Sequence, residues 1–490
     1  MIKYSMFNIS SIFRKGVYLY LTIPFIIFIL GFIKTIYALL ILIVTLYLLW
    51  KVFHSQYSTI YIDKHDLKKI GIVFFIILLW VLLSGIGGQS YQTDDFFWRN
   101  GLFQTLINEK WPIVKDVIFN GELASRGLSY YFGFWLPSAL IGKVFGLTIA
   151  NLFQIIWASI GILLVYLGIS IKLKKFVIWP FVIFMFFSGM DILGYYLQGT
   201  DMSTINQTTH LEWWSIFEFS SHTTQLFWVF NQAIPAWLGT IYLILEKENK
   251  NLGFVFSSLL ISSTLPTLGL IPFCLYYFFS REYNSERKYS KKWWKSWFKD
   301  SFSLCNILSV IFIGIPTILF LFRTESNSAI TLYNFRNGGW VLYALFLLVD
   351  IGGFCYIIYS SKQTTKLFYI SIIWLAFCPM LRGRGLGDNF CMRASIPALF
   401  ILYLEVVNSL EKIFKERNKI LLTTSIVILI IGAKTPINEM IKSISEVHDR
   451  NVNEVITSVK AEPVSTEQVL TNSLESVNVK TSLFYKYLAR

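Results

Sequence analysis

The feature that most limits this chain is a succession of long apolar runs separated by short, often basic loops. Residues 17–33, 36–53 and 70–87 open the series, and others follow at 131–170, 301–322, 340–359, 396–410 and 419–433. About twenty such residues in a helix cross the ~30 Å hydrocarbon core of a bilayer. Backbone polar groups must be satisfied internally there, so helices are expected. Composition agrees: 55% of the 490 residues are hydrophobic and 15% are charged, against about 25% charged in soluble domains. The expected fold is all-α and polytopic, with about thirteen transmembrane helices. Val17 to Ile33 lacks a small-residue cleavage site and leads straight into another apolar run, unlike a signal peptide.

Lys and Arg in the loops set the expected orientation. Arg14 and Lys15 hold the N-terminus inside, as do Lys64, Lys68 and Lys69 the loop before residue 70. The run 70–87 then crosses outward. The stretch 131–170 ends at Lys172-Leu173-Lys174-Lys175 and counts as one net crossing, with 131–146 a re-entrant or broken piece. No Lys or Arg occurs between Phe176 and Glu246, so 194–232 belongs outside. The runs 253–265 and 267–280 read as a hairpin meeting at Pro266. External loops are expected at about 88–130, 194–232, 323–338 and 382–395, within a membrane domain spanning 1–434. Residues 435–490 form a short external tail.

The net charge of +14 belongs to such loops rather than to nucleic-acid binding. The most basic segment carries Arg281, Arg287, Lys288, Lys291, Lys292, Lys295 and Lys299 among Trp293, Trp294 and Trp297. Between membrane helices, that pattern fits anionic headgroups. The five cysteines match neither a zinc spacing nor a disulfide framework.

Candidate chemistry falls in three of the external loops. The first holds Asp94-Asp95, two adjacent carboxylates at a membrane helix end, where dehydration is costly. Residues 96–108 follow as an amphipathic helix, with Trp98, Leu102, Phe103, Leu106 and Ile107 in one half of the wheel. Its apolar side is expected in the headgroup boundary. Asp95 and Arg99 are spaced to pair, while Asp94 as a plain N-cap is the simpler alternative. Arg126 and Tyr130 close this loop. The second loop carries Asp201, His210, Glu212, Glu218, His222 and Gln232. Its histidines and carboxylates are metal-ligand types, although their spacing matches no dedicated site. The third has Arg382, Arg384 and Arg393 with three glycines; guanidinium forks match phosphate oxygens. Asp350 and Glu405 lie inside expected membrane helices, a placement that marks either function or pairing between helices.

Asp94-Asp95, the helix 96–108 and Tyr130 to Pro137 resemble the GT-C superfamily of integral-membrane glycosyltransferases. The resemblance covers roughly residues 70–245. It departs in that two crossings, rather than one, precede the acidic motif, and in lacking the C-terminal soluble domain of some members. It implies transfer of a sugar from a polyprenyl-phosphate donor to a glycan, lipid or protein hydroxyl at the extracytoplasmic face of the cell membrane. Asp94 would then be the general base, and Asp95 would position the acceptor or a divalent cation, Mg or Mn. Arg384 and Arg393 would neutralise the departing phosphate. Arg99, Arg126, Tyr130, Asp201, His210, Glu212, His222, Gln232 and Arg382 would line the substrates. A transporter of a lipid-linked saccharide, or a polysaccharide polymerase or ligase, would use the same groups.

Overall fold

The computed structural model describes residues 7–55, 60–206, 209–282, 287–322, 330–333, 335, 338–383, 389–453, 463–472 and 474–490. The chain is mostly helical, and among these residues eight helices are long and apolar enough to cross a membrane. Shorter apolar helical stretches occupy Thr264–Ser280 and Lys366–Met380.

Helix α1 (Ile9–Phe32) is capped by the Asn8 side chain and followed by α2 (Thr35–Phe53). Strands β1 (Phe7–Asn8) and β2 (Tyr61–Ile62) pair across them. Asp63 caps α3 (Lys64–Leu83), which therefore starts before its apolar run. Helix α4 (Phe96–Asn108) stands where the amphipathic pattern placed it.

A hairpin follows that an all-α expectation does not contain. Strands β3 (Val114–Phe119) and β4 (Glu122–Leu128) are joined by Asn120-Gly121, with φ of 52° and 86°. Two consecutive positive φ angles define the tight turn whose twist suits a hairpin, and Asn-Gly adopts them at least cost.

Helix α5 (Leu136–Leu173) contains the break expected in the 131–170 run, at Gly146, where φ is 83° and ψ 172°. Its longer part packs between α1 and α8 (His222–Leu245), with α6 (Trp179–Phe186) and α7 (Asp191–Leu197) intervening in sequence. Lipid tails are as apolar as leucine, so close approach rather than water exclusion drives such packing. A Cβ on Gly161 would meet Ile234 at 2.5 Å, and one on Gly168 would meet Ile241 at 2.7 Å. Helix α8 is buried almost throughout. It begins at His222, not at 233, because the Ser221 hydroxyl accepts the Thr224 N–H and starts the helix inside the expected loop. His222 and Gln232 are thus helical residues.

Helices α9 (Leu252–Leu259), α10 (Thr264–Gly269) and α11 (Ile271–Ser280) form the expected hairpin, and Asn249 Nδ2 donates to the Phe278 carbonyl where its ends meet. The turn lies at 260–263, and Pro266 occupies the first turn of α10, where a missing N–H costs little. Helix α12 (Lys291–Ser301) is the basic, Trp-rich segment; it leads into α13 (Leu304–Ser309) and α14 (Ile315–Leu321). Strand β5 (Ile330–Leu332) pairs with β6 (Leu381–Gly383) across α15 (Gly339–Leu347), α16 (Gly353–Ser360) and α17 (Lys366–Phe377). A π-turn at Leu348–Gly352 joins α15 to α16 and carries Asp350. Helices α18 (Asn389–Ala394) and α19 (Ile396–Lys415) precede α20 (Lys419–Asn453).

The expected boundary at 434/435 falls inside α20, one helix that continues through Pro436. Nor does the chain end stand apart. Helix α21 (Thr466–Thr471) packs on α4 and β3, and β7 (Ser476–Asn478) adds to β4 as the third strand. Helix α4 is enclosed as a result. Leu102, Phe103, Leu106 and Ile107 are buried against protein, while Phe97 and Trp98 stay exposed. The apolar face expected to lie in headgroups is therefore a packing surface: α5 covers it, and Val464 abuts Gly101.

Candidate active site

Two polar assemblies meet at one turn of α8. The first is the loop before α4. Asp94 is exposed, and among the described residues its carboxylate makes no hydrogen bond or ion pair. Among the described residues no side chain caps α4, so the simpler role for Asp94 finds no hydrogen bond to rest on. Asp95 is half-buried and pairs with Arg99 across 2.5 Å, as the i,i+4 spacing requires. The Arg99 guanidinium lies buried over the rings of Phe96 and Phe230, 5.6 and 5.5 Å from their centroids. Arg99 Nη1 and Thr93 Oγ1 are buried without a hydrogen-bond partner among the described residues. Buried donors without a partner cost about 1–3 kcal/mol each, so they suit a ligand bearing acceptor oxygens.

The second assembly is buried. Trp228, two residues before Phe230, donates from Nε1 to Glu439 Oε2 at 2.9 Å. The other oxygen, Oε1, lies 2.7 Å from His210 Nδ1. The far nitrogen, Nε2, faces Glu212 Oε2 at 3.6 Å. Glu212 Oε1 accepts from the Ser221 N–H at 2.8 Å and from the Thr224 hydroxyl at 2.7 Å. Its Oε2 accepts no N–H or hydroxyl hydrogen bond among the described residues. Glu218 completes the group and accepts from the Ser220 hydroxyl at 2.7 Å. One potential ligand atom from each of His210, Glu212 and Glu218 lies within 4.8 Å of the others.

Burial, then the charges of Glu218 and Asp191, hold the Glu212 carboxyl well above the usual carboxylate range. Burial raises Glu218 too, against the opposing pull of His210. Burial is the largest influence and disfavours a charged His210, but Glu439 and then Glu218 together lift the imidazole above its ordinary value. Deeper in the spans, Asp191 Oδ2 accepts from Ser188 and Thr435, at 3.1 and 2.6 Å. Asp350 lies beside Gly189, whose added Cβ would meet its Oδ1 at 2.9 Å. A π-turn in a membrane helix is a common mark of a functional position.

Helix α20 ties the assemblies together: Lys442 Nζ sits 5.8 Å from the Tyr91 ring, and its charge acts on both His210 and Glu439. Arg393, buried in α18, acts on Glu218 and on Tyr130. The Tyr130 ring lies against Tyr131, tilted by 30° with centroids 3.9 Å apart; burial, then the fields of Tyr131 and Glu475, hold its phenol well above the usual value.

Other expected residues take structural places. Arg126 is buried in the sheet, where it donates to the Ser476 carbonyl and hydroxyl and covers the Phe119 ring at 4.1 Å. Asp201 is exposed and accepts from the Ser203 N–H, which lowers its pKa. His222 lies between Phe184 and Phe187, with Nδ1 3.0 Å from the Phe184 carbonyl, and is not part of the His210 group. The Gln232 carbonyl accepts from Ser263, while its side-chain Oε1 is buried without a partner among the described residues. Glu405 accepts from Thr365, which places it in helix pairing. Arg382 is described in backbone only, within β6, and Arg384 lies outside the described residues, as does 323–329 of the expected loop.

Glu439 and Trp228 were not singled out from sequence. A signal was present: Thr435, Asn438, Glu439 and Ser443 recur at helical spacing and are all buried. No protein-family model, no curated protein and no solved structure matches the chain.

Proposed function

We propose that the chain is a membrane glycosyltransferase of the GT-C kind, moving a sugar from a polyprenyl-phosphate donor to an acceptor hydroxyl at the extracytoplasmic face. The observation that carries this is Asp94, exposed and without an ion pair among the described residues, beside the Asp95–Arg99 pair and set against the buried carboxylate–imidazole group by the Phe230 turn of α8. In the reaction, the acceptor oxygen attacks the anomeric carbon and the bond from that carbon to phosphate oxygen breaks. The phosphate leaves with the electron pair, and Asp94 takes the hydroxyl proton as general base. Single displacement inverts the anomeric configuration. Arg393, with Arg384, neutralises the developing phosphate charge. Asp95 holds Arg99 in place, leaving Nη1 for the acceptor or donor. Helices α3 and α19 and the two shorter apolar stretches would add four crossings to the eight long helices, twelve beside the about thirteen expected.

Movement of the same lipid-linked sugar without bond breaking is the second reading. The interruptions of α5 at Gly146 and of α8 at Val229 favour it, because transporters build binding sites from broken helices.

Orientation is tested by impermeant thiol labelling of intact cells in a cysteine-free background. Single cysteines at the exposed positions Glu122 and Asn206 should react and one at Ser290 should not; protection at 206 with labelling at 122 would invert the assignment downstream of α5. Arg393→Gln should weaken polyprenyl-phosphate binding by about 1.5–3 kcal/mol, the worth of a charge-assisted contact. Lys at the same position should recover part of that. Unchanged affinity would return Arg393 to a purely electrostatic role toward Glu218.

A further inference from the structure

The structure assigns His210, Glu212 and Glu218 as the three protein ligands of a first-row divalent cation such as Mn²⁺ or Zn²⁺. The argument starts with Glu439, whose two oxygens lie 2.9 Å from Trp228 Nε1 and 2.7 Å from His210 Nδ1. A carboxylate accepting the indole N–H leaves the Nδ1 position to carry the imidazole proton. His210 is thereby fixed in the tautomer that presents the Nε2 lone pair, the carboxylate–histidine arrangement typical of metal ligands. That lone pair faces Glu212 Oε2 at 3.6 Å, too far for a hydrogen bond. Two ligand atoms held ~2.1 Å from one ion at a tetrahedral angle stand about 3.4 Å apart.

Glu212 supplies the independent sign of a missing ligand. Its Oε1 is satisfied twice, while among the described residues Oε2 accepts no N–H or hydroxyl hydrogen bond although the residue is 1% exposed. Two buried carboxylates and an imidazole lone pair facing one another repel unless a cation or a shared proton lies among them. An imidazole with two oxygens suits first-row transition ions and disfavours Mg²⁺, which prefers oxygen alone and keeps its waters. Three protein ligands leave a coordination position for an oxygen donor. The assignment rests on geometry alone and does not depend on glycosyl transfer.

The competing occupant is a proton, on His210 Nε2 or shared between Glu212 and Glu218, and Mn²⁺ separates metal from proton. The full chain, purified with a histidine-free tag and carrying His54→Gln, His65→Gln and His448→Gln, is stripped with chelator and titrated with Mn²⁺. One saturable ion per chain is expected, with ¹⁴N modulation from one imidazole in its pulsed electron paramagnetic resonance spectrum. Glu212→Gln with Glu218→Gln should lower affinity by at least ~10-fold. Glu439→Gln, which does not touch the ion, should lower it ~10–100-fold by releasing the tautomer. Uptake no greater than in the double variant, or bound Mn²⁺ without ¹⁴N modulation, overturns the assignment. If the double variant does not fold, the spectrum of the chain with intact ligands decides alone. Glycosyl transfer that persists without bound metal would leave the proposed activity standing and the ion without a part in it.

Discussion

Asp94→Asn is expected to reduce sugar transfer by about 10²–10⁴-fold, the usual contribution of a general base, with the thermal midpoint of unfolding unchanged. The two halves of that expectation have separate physical origins. Asn is nearly isosteric and keeps an acceptor oxygen but cannot take a proton at neutral pH. Asp94 is exposed, and its carboxylate makes no hydrogen bond or ion pair among the described residues. Substitutions at such positions usually stay within about 0.5 kcal/mol in stability. Asp95→Asn should behave differently, because Asp95 is the partner of the buried Arg99 guanidinium. It should lower transfer and melting temperature together. The comparison is product formation beside thermal unfolding for both variants, and normal turnover in both would take catalysis away from this loop.

Arg126→Ala is expected to show the reverse pattern: a stability loss on the order of 3 kcal/mol and a defect in transfer only in proportion to the unfolded fraction. The Arg126 side chain is almost fully buried and bonds to Ser476, so it fastens β7 and the chain end to the β3–β4 hairpin. Removing it leaves the Ser476 carbonyl and hydroxyl short of donors and uncovers the Phe119 ring. Because α21 and Val464 pack on α4, loosening this end should also loosen the helix behind Asp94. Donor binding measured at a temperature where the variant is folded should match the parent chain. A specific loss of donor affinity at full folding would instead make Arg126 a substrate ligand.

The contrast between these two residues shows what the sequence exposes and what it hides. Asp95 and Arg99 pair as read because i,i+4 spacing on a helix is local geometry, independent of the rest of the fold. The break in 131–170 was legible because so long an apolar run exceeds one crossing, and it falls at a glycine. The hairpin at 114–128 has its own signal, Asn120-Gly121 between strand-forming residues, which an all-α expectation passes over. The partner of that hairpin could not be seen locally. Strand β7 joins Arg126 to Asn478 across 350 or so residues of chain, a pairing fixed only by tertiary contact. The polar tail likewise hid Glu439. Its charge suggested an exposed segment, whereas the helical spacing of Thr435, Asn438, Glu439 and Ser443 marks one face turned inward onto Asp191, His210 and Trp228. His210, Glu212, Glu218 and His222 were alike as residue types, and burial separates them. His222 spends its Nδ1 contact on a carbonyl between aromatic rings, while the other three converge.

The measurement that tests the central claim most directly is isotope-traced transfer by the purified chain. The protein in lipid nanodiscs is supplied with a polyprenyl-phosphate donor carrying a labelled sugar and with a candidate acceptor hydroxyl. Release of polyprenyl phosphate together with a labelled glycoside of inverted anomeric configuration, lost in Asp94→Asn, is the expected result. Labelled donor that is bound, or moved between leaflets, with its sugar–phosphate bond intact in the unmodified protein would contradict it.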